Sequence, residues 1–318
     1  MRILAFLAAA LFSACALAQP AFPSRPVRMV VPYAAGGIAD LLGRIVAERL
    51  SPRLGQPVVV ENRPGAGGHV GGEHVATAAP DGYTVALTTI AHNGAALLYR
   101  NLRYDPSADL QPVILVAESP SVLMVNAAVP AQNVAELLAL ARQKPGELTY
   151  GSAGNGSAMH MAAELLKHLA KVDLVHVPYR GAAPAMADLL SGRLTLVLDS
   201  VGTAHQHLKG GKIRALAVTS PARNPSLADV PTMAEAGVPG YASMPWYAVS
   251  TAKGVPADVV AKLNAEINAA LKAPELAQRW ETLGVLPLGG SPEDAMRRNR
   301  AETERWSAVI RAAKLSAE

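Results

Sequence analysis

Pro32-Tyr-Ala-Ala-Gly-Gly-Ile-Ala-Asp40 and Tyr150-Gly-Ser-Ala-Gly-Asn-Gly-Ser-Ala-Met-His160 follow one local pattern. A short apolar run enters a turn of small residues, and an amphipathic helix starts at once. Small side chains leave backbone N–H groups free to point at a guest, and the helix N-terminus adds roughly half a positive charge. Two such turns facing one another across a cleft would hold a small anion without a basic side chain.

Working outward from these turns, strands are expected at 27–31, 58–60 and 84–88. Further strands are expected at 113–117, 122–125, 148–150, 174–177, 194–198, 213–218 and 246–250. Helices alternate with them. Leu41, Leu42, Ile45, Val46 and Leu50 share one face after Ile38, and Ala158, Ala162, Leu165, Leu166 and Leu169 do so after the second turn. The alternation predicts an α/β chain built of parallel βαβ units, with ligands beyond the carboxyl ends of the strands. After Pro256 the pattern reads as purely helical. Glu118-Ser-Pro120 reads as a crossing between domains.

The 318-residue chain carries a formal net charge of +4 and only 4% aromatic residues. Its core must therefore be made of Ala, Val and Leu. The densest basic run, Arg297-Arg298 and Arg300, alternates with Glu302 and Glu304 on an expected helix, a solvated face and not a nucleic-acid patch. Arg2, the apolar run 3–12 and Ala16-Leu-Ala18 read as a signal peptide over 1–18 cleaved after Ala18, which sends the chain to the periplasm. Lipidation at Cys15 is the alternative, with Phe12 a poor fit to it. Cleavage removes the single cysteine, so neither a disulfide nor a thiolate site is expected.

The remaining motifs are weaker. Gly65-x-Gly-x-x-x-Gly71 is one residue too long for a dinucleotide fingerprint and reads as helix packing or a cleft rim. Gly151-Ser152-Ala153-Gly154 is one residue too short for a nucleophile elbow. The histidine spacings give no metal signature, so neither metal nor cofactor is expected. Asp40 is placed to cap its helix or to read a polar group of a ligand. Arg180 is expected to bridge to Asp199 or another acid, with a grip on the ligand as the alternative, His160 to touch the site or support it, and Trp246 and Tyr247 to wall the cleft or fill the core.

The ordered set Pro32-Tyr-x-x-Gly-Gly-x-x-Asp40, Glu61-Asn-Arg-Pro-Gly-Ala-Gly-Gly68, Tyr150-Gly-Ser-Ala-Gly-Asn-Gly-Ser157, Pro178-Tyr-Arg-Gly181, Asp188-Leu-Leu-x-Gly192 and Val230-Pro-Thr-Met-x-Glu-Ala-Gly237 resembles the substrate-binding proteins of tripartite tricarboxylate transporters, the Bug-type periplasmic receptors. The resemblance implies a two-domain, type II-like Venus flytrap with its cleft between domains. It further implies a small organic carboxylate as ligand, transporter permease subunits as partners, a monomer, and no enzymatic activity. A ligand-presenting sensor or an exported hydrolase are the alternatives. By the same resemblance Tyr33, Ala35, Gly36 and Gly37 form one pincer, and Ser152, Ala153, Asn155, Gly156 and Ser157 the other. Thr88, Thr89 and Asn93 line the cleft, and Asp199 reads the far end of the ligand. Domain one is expected at 25–120 plus 224–318, and domain two at 121–223. Two departures stand out: Gly43 where alanine is usual, expected to cost helix stability by about 1 kcal/mol, and Tyr33 where phenylalanine is common.

Overall fold

The computed structural model describes residues 22–93, 97–313 and 315. The expected signal segment with Cys15 and the cleavage point lies outside these residues. β1 (Val27–Val31), α1 (Ile38–Leu54), β2 (Val58–Asn62), α2 (His69–Ala76) and β3 (Thr84–Thr89) open the chain. A short α3 (Pro106–Asp109) leads to β4 (Leu110–Glu118), and β5 (Ser121–Asn126) follows immediately after Ser119-Pro120. The middle runs α4 (Val134–Gln143), β6 (Thr149–Ser152), α5 (Ala158–Ala170), β7 (Val175–Pro178), α6 (Ala182–Leu190), β8 (Leu196–Ser200), α7 (Val201–Leu208) and β9 (Ile213–Val218). Then come β10 (Trp246–Ala252), α8 (Ala257–Leu271), α9 (Ala277–Leu283), β11 (Leu286–Gly289) and α10 (Pro292–Ala313).

The strands form two sheets, one in each of two lobes. The first is six-stranded in the order β11-β4-β10-β3-β1-β2, the second five-stranded in the order β7-β6-β8-β5-β9. The parallel βαβ expectation holds for β1, β2 and β3 and for β6, β7 and β8. The strands next to the crossings depart from it: β10 is antiparallel to β3 and β4, and β5 is antiparallel to β8 and β9. Parallel neighbours need a crossover that returns the chain to the same end of the sheet. Where the chain changes lobes, that crossover is missing.

The purely helical reading after Pro256 is corrected by β11, which adds an antiparallel edge to β4. An edge position tolerates Pro287 and leaves Leu286 and Leu288 exposed, so the segment lacks the buried apolar run that marks central strands. The return crossing lies at 243–245, later than the expected boundary at 224. Met233, Val238 and Tyr241 belong to the second lobe's core, and Tyr241 Oη donates to the Ala162 carbonyl at 2.8 Å. Ser119 N–H donates to the Pro245 carbonyl at 2.8 Å, so the two crossings run side by side. α10 packs on β4 yet sends Trp306 and Ile310 into the second lobe's core.

Gly43 has a packing role that its helix propensity hides. A Cβ built there would stand 2.6 Å from Val31 Cγ2, so glycine lets α1 close onto β1. Val31 is β-branched and has little rotamer freedom to move aside. Gly43→Ala should gain about 1 kcal/mol of helix propensity but lose roughly 1–3 kcal/mol to overpacking. A net destabilisation is expected in urea unfolding, where propensity alone predicts a gain.

Candidate functional site

Strands β1, β6, β7 and β8 each run into a small-residue turn that starts a helix. α1 begins at Gly37 and α6 at Gly181 without a side-chain cap. α5 is capped by Ser157 Oγ, which accepts from His160 N–H at 3.3 Å, and α7 by Ser200 Oγ, which accepts from Thr203 N–H at 3.2 Å. First-turn N–H groups have no helical partner of their own. Gly37, Ile38 and Ala39, then Ser157, Ala158 and Met159, and also Ala182 and Ser200, line a single interlobe cavity. Four helix N-termini therefore meet at one space, and among the described residues no lysine, arginine or histidine lines it.

Of the residues expected at the site, Tyr33, Gly37, Thr89, Ala153, Ser157 and Asp199 line this cavity. Ala35 and Gly36 lie exposed at its rim, with Gly36 N–H donating to Asp40 Oδ2 at 3.1 Å. Ser152 sits beneath the second turn, its Oγ accepting from Gly154 N–H at 3.0 Å and lying 2.6 Å from His176 Nε2. Gly156 N–H donates to His160 Nδ1 at 3.1 Å, which fixes the turn from behind. Asn155 faces a separate outer groove with Tyr99, Tyr179 and Arg180.

Thr88 and Asn93 do not face the interlobe cavity. Successive strand residues point to opposite faces, so where Thr89 faces the cavity Thr88 turns away. Thr88 Oγ1 pairs with Ser250 Oγ at 2.8 Å, and Thr88 and Asn93 share a small cavity under α10 with Trp246 and Asn299. The same alternation on β10 sends Trp246 there and Tyr247 to the interlobe cavity. Sequence reading placed no role on Ser119, Ser121 or Ser200, all of which line the cavity.

Local electrostatics separate support from recognition. Burial pushes the Asp40 carboxyl up, but hydrogen bonds from Arg44, Asn62 and Gly36 and the Arg44 charge hold it below the ordinary carboxylate range. Asp40 is therefore a structural clamp on the first turn. Tyr33 Oη donates to the Gly67 carbonyl at 3.0 Å and lies 3.1 Å from Thr89 Oγ1, so the added hydroxyl ties the turn to the 65–68 loop. Arg180 is exposed and forms no ion pair with Asp199 among the described residues. Its carbonyl instead accepts from Ala34 N–H at 3.2 Å across the lobes.

The Gly65–Gly71 stretch serves packing and the rim. A Cβ at Gly71 would sit 2.9 Å from Pro32 Cβ, and one at Gly67 only 1.8 Å from the Asn155 carbonyl oxygen of the other lobe. Tyr99 Oη donates to that same carbonyl at 2.7 Å. A Cβ at Gly181 would stand 2.9 Å from Ala34 Cβ. The lobes are closed on each other at backbone distance.

Residues 42–315 match the family model described as tripartite tricarboxylate transporter family receptor. The UPF0065 protein in the tcbD-tcbE intergenic region of Pseudomonas sp. (strain P51) is 42% identical, covering 97% of this chain and 93% of its own length. Among solved structures, R. palustris Rpa4515 with adipate is 40% identical with a TM-score of 0.89, covering 93% of this chain and 99% of that one. MatC (Rpa3494) from Rhodopseudomonas palustris with bound malate is 34% identical with a TM-score of 0.87, covering 91% and 100%.

Proposed function

Because the chain belongs to the tripartite tricarboxylate transporter receptor family, we propose that it captures a small organic carboxylate between its lobes and hands it to the membrane subunits of such a transporter. The observation that carries this reading is the meeting of four helix N-termini at one cavity that, among the described residues, no basic side chain lines. A carboxylate there gains hydrogen bonds from otherwise unpaired N–H groups and the attraction of several helix dipoles. Closure follows because contacts from both lobes exist only when they meet. The ligands of Rpa4515 and MatC, adipate and malate, are of the same chemical class.

The expected setting is the periplasm, reached through a signal peptide cleaved after Ala18, with the receptor acting as a monomer. The reading is of capture without chemistry. Ser152 and His176 are close, but Ser152 Oγ is held within its own turn by the Gly154 N–H and neither residue lines the cavity. A ligand incubated with the protein should be recovered unchanged.

The test is a thermal-shift screen of the signal-free protein against organic acids, adipate and malate among them. A ligand at 100 times its Kd should add about 2.7 kcal/mol of stability, a shift of several degrees. A folded protein that no acid stabilises, and that carries no co-purified acid in native mass spectrometry, would end this reading.

A further inference from the structure

Asp199, near the end of β8, is the one ionisable carboxyl lining the cavity among the described residues. It is 2% exposed, and Oδ1 accepts from Ser200 N–H at 2.7 Å. Its Oδ2 is buried with no hydrogen-bond partner among the described residues, and so is the Oγ of Ser119 at the crossing, which lines the same cavity.

No opposite charge faces this carboxyl. The first lobe brings Tyr33 from the turn after β1 and Tyr247 from β10 to the cavity, both held neutral by burial. β5 brings Ser121 to the cavity, and on α7 the Thr203 hydroxyl is bonded to Ser200 Oγ at 2.8 Å. On α5 and α6, which pack against β8, Glu164, Lys167, His160 and Asp188 are engaged elsewhere, and α7 carries His205 and His207 in its last turn, at the end away from Ser200. Glu164 of α5 bonds Tyr150 and Lys167, and Asp188 of α6 bonds Tyr179 and Arg193. His160 of α5 faces Gly156 and His176. Burial pushes the Asp199 carboxyl up to about 6, against the lowering effect of the Ser200 N–H and the Thr203 hydroxyl.

We propose that Asp199 makes capture of a dicarboxylate proton-linked, while a carboxylate that ends in a hydroxyl or ammonium is captured without proton uptake. With one carboxylate at the helix N-termini, the far end of the ligand meets Asp199 Oδ2. Two ionised carboxylates in contact repel strongly in a dry site. A second ligand carboxylate therefore binds when one proton from solvent bonds to Asp199 Oδ2, which then donates to the ligand oxygen. A hydroxyl or ammonium donates to the ionised Oδ2 and needs no proton. This inference rests on the reading of the cavity as the carboxylate site.

The experiment is isothermal titration of the signal-free protein with succinate, glutarate and adipate. Each is set against the hydroxy monocarboxylate of equal chain length, in buffers of different ionisation enthalpy. Between about pH 7 and pH 8, where Asp199 is ionised before binding, the dicarboxylate that fits should lose close to tenfold in affinity per pH unit and take up close to one proton per binding event. Its hydroxy counterpart should show a flat profile and no uptake. Asp199→Asn should remove both the pH dependence and the uptake for the dicarboxylate; the wild-type proton count tests the idea even if this variant folds poorly. A dicarboxylate that binds with equal affinity across that range and consumes no proton overturns the inference and leaves carboxylate capture intact. Binding of no acid at any pH overturns the reading of the cavity, and the inference with it.

Discussion

Gly67→Ala is expected to weaken ligand capture by about a hundredfold, about 2.7 kcal/mol, while leaving each lobe folded. The added Cβ would lie 1.8 Å from the Asn155 carbonyl oxygen and 2.7 Å from Tyr99 Oη. The obstacle at Asn155 is backbone, so no rotamer change removes it. The seam must open by about 1.5 Å to restore ordinary contact distance, and an opening of that size breaks hydrogen bonds that need 2.7–3.2 Å. Helix N-termini from both lobes would then no longer reach one ligand together. Gly67 also has φ +62°, so part of the cost is backbone strain. Gly211→Ala separates the two contributions, since Gly211 has φ +68° with nothing within 4 Å of an added Cβ. Small-angle scattering with ligand should show Gly67→Ala more open than the parent chain, and Gly211→Ala indistinguishable from it. An alanine variant at 67 that closes and binds normally would remove the seam from the mechanism.

Acidification should destabilise the protein steeply between pH 6.5 and about 4. Burial holds the His92 and His160 imidazoles down to about 4, and the His69 and His176 imidazoles to about 3, from an ordinary 6.5. Each therefore takes up a proton more readily in the unfolded chain than in the folded one. The stabilisation is fully present above 6.5 and is lost progressively as pH falls toward the folded-state values. For His92 or His160 alone the loss is on the order of 3 kcal/mol by pH 4, against a typical total of roughly 5–15 kcal/mol. Asp199 works in the opposite sense. Its folded carboxyl is raised to about 6 from 3.8, so it binds its proton more tightly when folded, and it offsets part of the loss over about pH 6 to 4. Urea midpoints measured across this range should fall, and His160→Gln should flatten the slope. A midpoint constant from pH 7 to 4 would show that these imidazoles protonate without cost.

Two buried clusters underlie that behaviour. His160 stacks on His176 with ring centroids 4.2 Å apart, directly behind the Ser152–Ser157 turn. His69, His92 and Tyr104 sit behind the 65–68 loop, with His69 Nδ1 2.9 Å from Tyr104 Oη. Both sides of the cleft are thus backed by neutral imidazoles, and acid should loosen the ligand turns as well as the fold.

The sequence by itself determined the local units. The β-branched run of β1, the small-residue turns and the one-sided apolar faces of α1 and α5 each declare themselves within about ten residues, because strand, turn and helix preferences are properties of neighbouring side chains. The same locality located three of the four helix starts that meet at the cavity, those after β1, β6 and β7, and missed the one at Ser200. It left the aim of single side chains undecided: Thr88 and Thr89 are adjacent in sequence, and the pleat of β3 against β10 sends one under α10 and the other to the cleft. Only the tertiary structure revealed Gly43 as a close-packing position, the side-by-side crossings at 119–120 and 243–245, and the Gly67–Asn155 seam, since each joins segments far apart in the chain. The isolation of Asp199 is of the same kind. An acid at a strand end is readable in the sequence, but its unpartnered oxygen depends on what every surrounding element fails to bring near it.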